Sequence, residues 1–186
     1  MHRDAGLTDR HRRGQRADSQ LAVLAQQSQD LQPHRIRPAL RRLAVGAGWG
    51  VVATLVMSAL MLAGVATGMS PMPKPIPAAL VACTLGALPK PALLLLAALA
   101  HLGYGAVAGA VLAGLLRRVT VGKALGYGVM LWALMGLVWL PYLGWGLFGT
   151  AITVKIAVGT LLLHLLYGLT LGLLLDRAPG TRPTAA

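Results

Sequence analysis

The chain has 186 residues, of which 56% are hydrophobic and only 12% are charged, whereas charged residues make up about a quarter of a typical soluble domain. Its five acidic residues are all aspartates, and no carboxylate lies between Leu31 and Leu175. Because a charge near the centre of a bilayer costs several kcal/mol, this long uncharged stretch indicates a membrane protein and excludes a soluble core.

The formal net charge of +12 would suit a nucleic-acid partner, but the positions of the basic residues indicate a lipid partner instead. Nine of them precede the first apolar run, and Arg117, Arg118 and Lys123 lie between two later runs. This is typical of cytoplasmic flanks attracted to anionic lipid. We therefore expect the bilayer to be the partner and no nucleic acid to bind.

Residues 1–40 are polar, rich in Arg and Gln, and lack hydrophobic periodicity. They predict a disordered basic tail that precedes a transmembrane domain over residues 41–177. The first span is predicted over residues 43–68, which exceeds the 20 or so apolar residues that cross a membrane. Gly46, Gly50, Thr54 and Ser58 recur every four residues in it, and such a stripe of small residues lets another helix approach closely.

A proline-rich segment follows, with prolines at alternate positions over residues 71–77, and these prolines forbid a helix there. The apolar residues 78–88 come next and are too few to span the bilayer, so they predict an interfacial or re-entrant segment. Three further spans are predicted over residues 91–116, 124–140 and 152–175, and a disordered tail over residues 178–186. Aromatic residues at the end of the third span predict a belt at the membrane interface: Trp139, Tyr142, Trp145 and Phe148.

The sequence repeats itself. Residues 41–46 read Arg-Arg-Leu-Ala-Val-Gly and residues 117–122 read Arg-Arg-Val-Thr-Val-Gly, and each copy opens an apolar run. Residues 101–105 and 164–168 share the pattern His-x-x-Tyr-Gly, with another Gly four residues later. The repeat predicts an all-α membrane protein with four transmembrane helices, built as two hairpins of the same orientation.

The distribution of Lys and Arg predicts the orientation. If the N-terminus is inside, the inner segments hold nine, three and two basic residues, and the outer side holds only Lys74, Lys90 and Lys155. Both termini are therefore predicted to be cytoplasmic, in a multi-pass protein of the bacterial inner membrane.

The strongest candidate for a polar site inside the membrane is the repeated histidine with its tyrosine: His101 with Tyr104, and His164 with Tyr167. Each histidine lies near the middle of its span, so the two are expected at a similar depth. They suit structural hydrogen bonding between helices, proton or substrate handling, or ligation of haem b or another metal. No other metal ligands are predicted. The preferred hypothesis is a protein without a cofactor, and the alternative is a haem- or metal-binding redox protein that uses both histidines.

The repeated glycines predict helix contacts, since each histidine is followed by glycines on the same helix face. The glycines predicted to pack against other helices are Gly105, Gly109, Gly122, Gly126, Gly168 and Gly172. The apolar region has no carboxylate pair, phosphate-binding loop or zinc-binding spacing, so no catalytic residue and no enzymatic activity are predicted.

The order of these motifs resembles small uncharacterised bacterial inner-membrane proteins, including the YagU-like family and related families of unknown function. The stretches that carry the resemblance are residues 50–62, 101–105, 141–149 and 163–168, and together they cover about residues 43–175. The resemblance implies a four-helix bundle without an established activity. On the sequence alone we expect a non-enzymatic structural or partner subunit, or an oligomeric permeation unit, as a homo-oligomer or within a membrane complex.

Overall fold

The computed structural model describes residues 5–116 and 118–177, with the side chains of the first helix described at residues 19–24 and 26 and from 38 onward. These residues form helices and no strand, so the predicted all-α class is confirmed. The helices are α1 (Ala5–Ala66), α2 (Ile76–Leu85), α3 (Lys90–Leu115), α4 (Val121–Leu134), α5 (Leu140–Tyr142) and α6 (Val154–Arg177). A π-helical turn, Met135–Trp139, joins α4 to α5.

Four helical segments in the described part of the chain are long and apolar enough to cross a membrane. They are Pro38–Ala66, Lys90–Leu115, Val121–Tyr142 and Val154–Arg177. With 26 residues, α3 is about 39 Å long, which exceeds the roughly 30 Å of a hydrocarbon core. The chain is therefore an integral membrane protein of the all-α class.

The chain divides into two compact units, Met1–Arg41 and Arg42–Ala186. The division lies one residue from the predicted boundary between tail and membrane domain. α1 begins at Ala5, and residues 15–32 within it hold neither Gly nor Pro and are rich in good helix formers. Disorder of residues 1–40 in solution stays a prediction, and the predicted tail over residues 178–186 lies outside the described residues.

The first hairpin depends on backbone contact between α1 and α3. A Cβ atom added at Gly109 would lie 2.8 Å from the Cα atom of Gly50, and one added at Gly105 would lie 2.9 Å from the Cβ atom of Thr54. The Thr54 hydroxyl is fully buried and donates to the Gly50 carbonyl at 2.8 Å. The predicted stripe of small residues on α1 is thus the face that meets α3.

The second hairpin, α4 with α6, is built in the same way. An added Cβ atom at Gly168 would lie 2.5 Å from the carbonyl oxygen of Ala124, and one at Gly128 would lie 2.5 Å from the carbonyl oxygen of His164. Gly172 lies against Ala124 and Val121. Both hairpins therefore use the glycines that follow the repeated histidine.

The packing of α4 follows a different register from the sequence motif. In the sequence motif, Gly126 is the counterpart of Gly50. In the structure, the residue of α4 that meets the glycines of its partner helix as Gly50 does is Ala124, two residues earlier. Because two residues turn a helix by about 200°, Gly122 and Gly126 lie on another face. A Cβ atom added at either glycine would meet nothing within 4 Å. Neither glycine therefore packs against another helix in the described chain, contrary to the prediction.

Two tyrosine hydroxyls connect the second hairpin to α3. Tyr167 donates to the Gly105 carbonyl at 2.9 Å, and Tyr127 donates to the Ala108 carbonyl at 3.0 Å. Around them lies a cluster of buried apolar side chains drawn from all four spanning segments and the α3–α4 connection. Its members are Ala53, Ala108, Leu112, Ala113, Val119, Ala124, Leu131, Tyr167, Leu171 and Leu175. The two hairpins thus share one core.

One residue of the repeated Arg-Arg motif has a structural role. Arg42 donates from Nη2 to the carbonyl oxygens of Ala113 and Leu116, at 2.7 and 2.6 Å. The last carbonyls of a helix have no partner within it, and the negative end of the helix dipole attracts a cation. Arg42 therefore caps the C-terminus of α3 from the neighbouring helix.

The predicted aromatic belt after the third span requires a correction. Trp145 is only 9% exposed and packs in a second core cluster with Met135, Leu140 and Ile156. Phe148 packs against Trp132, with ring centroids 4.6 Å apart and the ring planes tilted by 41°. These two rings are drawn inward because the chain folds back after α5, through a loop whose glycines adopt positive φ angles.

The backbone contact in the first hairpin predicts opposite effects at two glycines of α3. Gly105→Ala should lower the free energy of unfolding by about 1–3 kcal/mol, because the methyl group overpacks the contact with Thr54. Gly103→Ala is the matched control, since its Cβ would meet nothing within 4 Å and alanine favours the helix by up to about 1 kcal/mol. Unfolding titrations in mixed detergent micelles measure both, and equal effects would contradict this account.

Candidate functional site

The repeated histidines meet at one cavity. His101 lies near the middle of α3 and His164 near the middle of α6, and both line a cavity of about 230 Å³. Most of its wall is apolar. The remaining lining residues are Met57, Met61, Ile76, Pro77, Leu80, Ala100, Tyr104, Met135 and Trp139. The cavity thus has a polar end within a largely apolar wall.

A smaller cavity, of about 20 Å³, lies at this polar end. Its lining includes His101, His164, Tyr104 and Tyr167, the four residues that the sequence singles out. Its volume is close to the space that one water molecule needs. The structure therefore brings together all four candidate residues from two helices that are far apart in sequence.

Each imidazole also has a hydrogen-bond partner of its own. The Nδ1 atom of His101 lies 3.2 Å from the Ser58 hydroxyl on α1, and the Nδ1 atom of His164 lies 2.8 Å from the Thr160 carbonyl oxygen on its own helix. A carbonyl oxygen can only accept, so Nδ1 of His164 carries the proton. Both rings are thus oriented through Nδ1, which leaves Nε2 of each ring for other contacts.

The cavity wall includes the segment that is present only in the first hairpin. Ile76, Pro77 and Leu80 of α2 line the cavity, and Ala79 on the same helix packs in the second core cluster. Pro77 suits the first turn of a helix, where a backbone N–H has no partner. The Thr84 and Tyr142 hydroxyls, 3.3 Å apart, connect α2 to α5. The insertion therefore closes one side of the site.

A change of helix type places two further lining residues. In the π turn, Leu140 N–H donates to the Met135 carbonyl, five residues back. Pro141 follows, and it has no N–H to donate to Leu137, whose carbonyl its ring would crowd in a regular helix. Met135 and Trp139 are the first and last residues of this turn, and both line the cavity. π turns of this kind are frequent at functional sites.

Sequence reasoning does not identify several residues of this site. Ser58 is in the predicted small-residue stripe, and the sequence allows its pairing with His101 without favouring it, since the contact depends on the packing of α1 on α3. Met135 and Trp139 carry one signal in the sequence, the proline at position 141 inside an apolar run. Tyr127, which connects α4 to α3, has no counterpart in the His-x-x-Tyr pattern.

Among the described residues, no group of three or more His, Cys, Asp or Glu side chains is placed to hold a metal ion. Comparison of the chain with family models, curated proteins and solved structures finds no match. The resemblance to YagU-like proteins therefore stays a prediction, and the site is interpreted from its own geometry.

The tyrosine contacts predict unequal effects of removing two hydroxyl groups. Tyr167→Phe should lower the free energy of unfolding by about 1 kcal/mol, because Tyr167 is 2% exposed and its hydroxyl connects α6 to α3. Tyr142→Phe is the comparison, because its hydroxyl also contacts another helix, through the Thr84 hydroxyl, but Tyr142 is 51% exposed; its effect should stay within about 0.5 kcal/mol. Unfolding in mixed micelles compares them, and a larger effect at Tyr142 would overturn this interpretation.

Proposed function

We propose that this integral membrane protein is a non-enzymatic binding protein for a small, mainly apolar molecule, which it holds in the cavity between His101 and His164. One observation carries the proposal. The repeated histidines, the inserted helix α2 and the π turn before Pro141 all converge on the same cavity. These are the features in which the chain departs from a plain bundle of apolar helices.

The chemistry of the wall supports an amphipathic occupant. Methionine side chains from α1 and the π turn, with Ile76 and Leu80 of α2, offer polarisable and adaptable apolar contacts. The imidazoles and Tyr104 supply a few hydrogen-bonding groups at one end. Binding sites for small molecules commonly combine apolar walls with a small number of polar groups that fix orientation.

The exposure of the lining residues supports entry from the lipid. Tyr104 and Trp139 are 39% and 37% exposed, although both line the cavity. Tyr104 lies near the middle of the spanning helix α3, where exposed surface faces acyl chains rather than water, and Trp139 lies toward the end of its own span. An apolar molecule dissolved in the bilayer would therefore reach the site without crossing an aqueous phase.

The haem alternative fits the residues less well. Two oriented imidazoles on facing helices suit axial ligation of an iron, and contacts through Nδ1 leave Nε2 of each ring as the atom that would bind it. The cavity, however, has a volume of about 230 Å³, below the roughly 300–1,000 Å³ of sites for drug-sized ligands, and a haem is larger than most such ligands. The size of the site therefore favours a smaller molecule than haem b.

The broader expectation of a partner subunit or an oligomeric permeation unit is compatible with a ligand site. The two hairpins share a closely packed core around Tyr167 and Leu171, both almost fully buried. A path through the bilayer would therefore form between copies of the chain rather than between its hairpins. We retain a homo-oligomer or a membrane complex as the setting in which the bound molecule acts.

We further propose a bacterial inner-membrane location with both termini in the cytoplasm. The asymmetry of Lys and Arg supports this orientation. Arg42 caps α3 at the end of the bundle that would face the cytoplasm. Arg42, one of the basic residues of the predicted inner flank, therefore binds carbonyl oxygens of the protein rather than lipid headgroups.

The orientation predicts which engineered cysteines react from outside the cell. Cys83 is the only cysteine, so Cys83→Ser gives a background without thiols. In it, Lys74→Cys should react with a membrane-impermeant maleimide in intact cells, and Lys123→Cys should react only after permeabilisation. The reverse pattern would overturn the proposed topology.

Filling the cavity tests the proposed function. We expect 2-naphthol to raise the Tm of the purified wild-type protein in a saturable manner, because a ligand that binds only the folded state stabilises it. Ala100→Leu, which places a larger side chain in the cavity, should abolish the rise. Ala98→Leu, on the same helix but outside the cavity lining, should leave it unchanged. Absence of a saturable rise in the wild type, or an equal rise in both variants, would refute the proposal.

A further inference from the structure

We infer that the molecule held in the cavity carries a hydroxyl group, as in a neutral alcohol, phenol or hydroquinone, whose O–H donates to Nε2 of His164. This inference rests on the proposed function and specifies the chemical class of its ligand. It follows from the hydrogen-bonding state of two side chains at the polar end of the cavity, His164 and Tyr104.

The backbone fixes the tautomer of His164. Its Nδ1 atom lies 2.8 Å from the Thr160 carbonyl oxygen, which can only accept a hydrogen bond, so Nδ1 bears the hydrogen. No carboxylate lies between Leu31 and Leu175 to stabilise an imidazolium in the membrane, so the ring is neutral. In a neutral ring with Nδ1–H, the Nε2 atom carries a lone pair and can only accept.

The accepting atom is accessible to a ligand. Nε2 of His164 has no hydrogen-bond partner among the described residues. Every fully buried side-chain nitrogen or oxygen in the described part of the chain does have such a partner. Nε2 is therefore not fully buried, and His164 lines both cavities. No hydrogen bond joins the two imidazoles within the described chain, and the contact of His101 with Ser58 is made through Nδ1.

Tyr104 supplies the complementary donor. No described group accepts a hydrogen bond from the Tyr104 hydroxyl, and Tyr104 lines both cavities. Its O–H can therefore donate to a molecule in the cavity. The polar end thus offers an acceptor on α6 and a donor on α3, together with Nε2 of His101, which donates or accepts according to the direction of the hydrogen bond between Nδ1 and Ser58.

A single ligand hydroxyl satisfies both groups, since its hydrogen bonds to His164 and its oxygen accepts from Tyr104. A ketone, quinone, ester or ether oxygen can accept from Tyr104 but leaves the acceptor on His164 without a donor. An unpaired polar group in an apolar site lowers affinity strongly, so the site discriminates in favour of the hydroxyl compound.

The test compares 2-naphthol with 2-methoxynaphthalene, which has the same ring system but no O–H. Binding is measured from the dependence of the Tm of the purified full-length protein in detergent on the concentration of each compound. Ala100→Leu, whose cavity is filled, measures the change in Tm that is caused by partitioning of the compound into the micelle. The wild type should bind 2-naphthol at least about tenfold more tightly than the ether. His164→Phe should remove this preference by weakening only 2-naphthol binding, and Tyr104→Phe should weaken the binding of both compounds.

The outcomes separate this inference from the proposed function. Equal affinity of the wild type for the two compounds, with both abolished by Ala100→Leu, would overturn the hydroxyl class and leave the cavity as a binding site. Failure of both compounds to bind would overturn the proposed function itself. If His164→Phe does not fold, Tyr104→Phe keeps the test decisive, because a weakening of 2-naphthol alone would contradict the assigned donor.

Discussion

Contact between helix backbones is the constraint on which the rest of this structure depends. Within lipid, apolar side chains gain little by leaving their surroundings, so helices associate through close packing and hydrogen bonds between them. Gly50 meets Gly105 and Gly109 in one hairpin, and Ala124 meets Gly168 and Gly172 in the other. These short separations bring the tyrosine hydroxyls within reach of α3 carbonyls, and they hold the two histidines at the level of one cavity.

Much of the fold follows from the sequence, because a bilayer imposes few solutions on long apolar runs. Spans, their number and the small-residue face of α1 can be read from composition and from a spacing of four residues. The register of the second hairpin cannot. Gly122 repeats the earlier motif, but it lies in the first turn of α4, and the helix face that packs against α6 is set further along by Ala124 and Gly128.

The candidate site is predictable in its polar residues and not in its walls. His101, His164, Tyr104 and Tyr167 stand out because polar groups are rare in such runs, and equal spacing places them at equal depth. The walls depend on the path of the chain outside the spans. Nothing in the local pattern of α2 shows that it folds back over His101, and its bond to Tyr142 joins segments distant in sequence.

The π turn has a consequence for how the site could change through insertion or deletion. Each residue added to a regular α-helix rotates everything after it by about 100°, whereas the wider π turn takes up one extra residue and leaves the helix on either side nearly in phase. Met135 and Trp139 line the cavity from the two ends of this turn, and removing one residue between them would leave these ends about one α-helical turn apart, on nearly the same face. A residue inserted or deleted within α4 has no such compensation and would rotate both side chains away from the cavity. The position of a length change relative to the π turn therefore decides whether the site survives it.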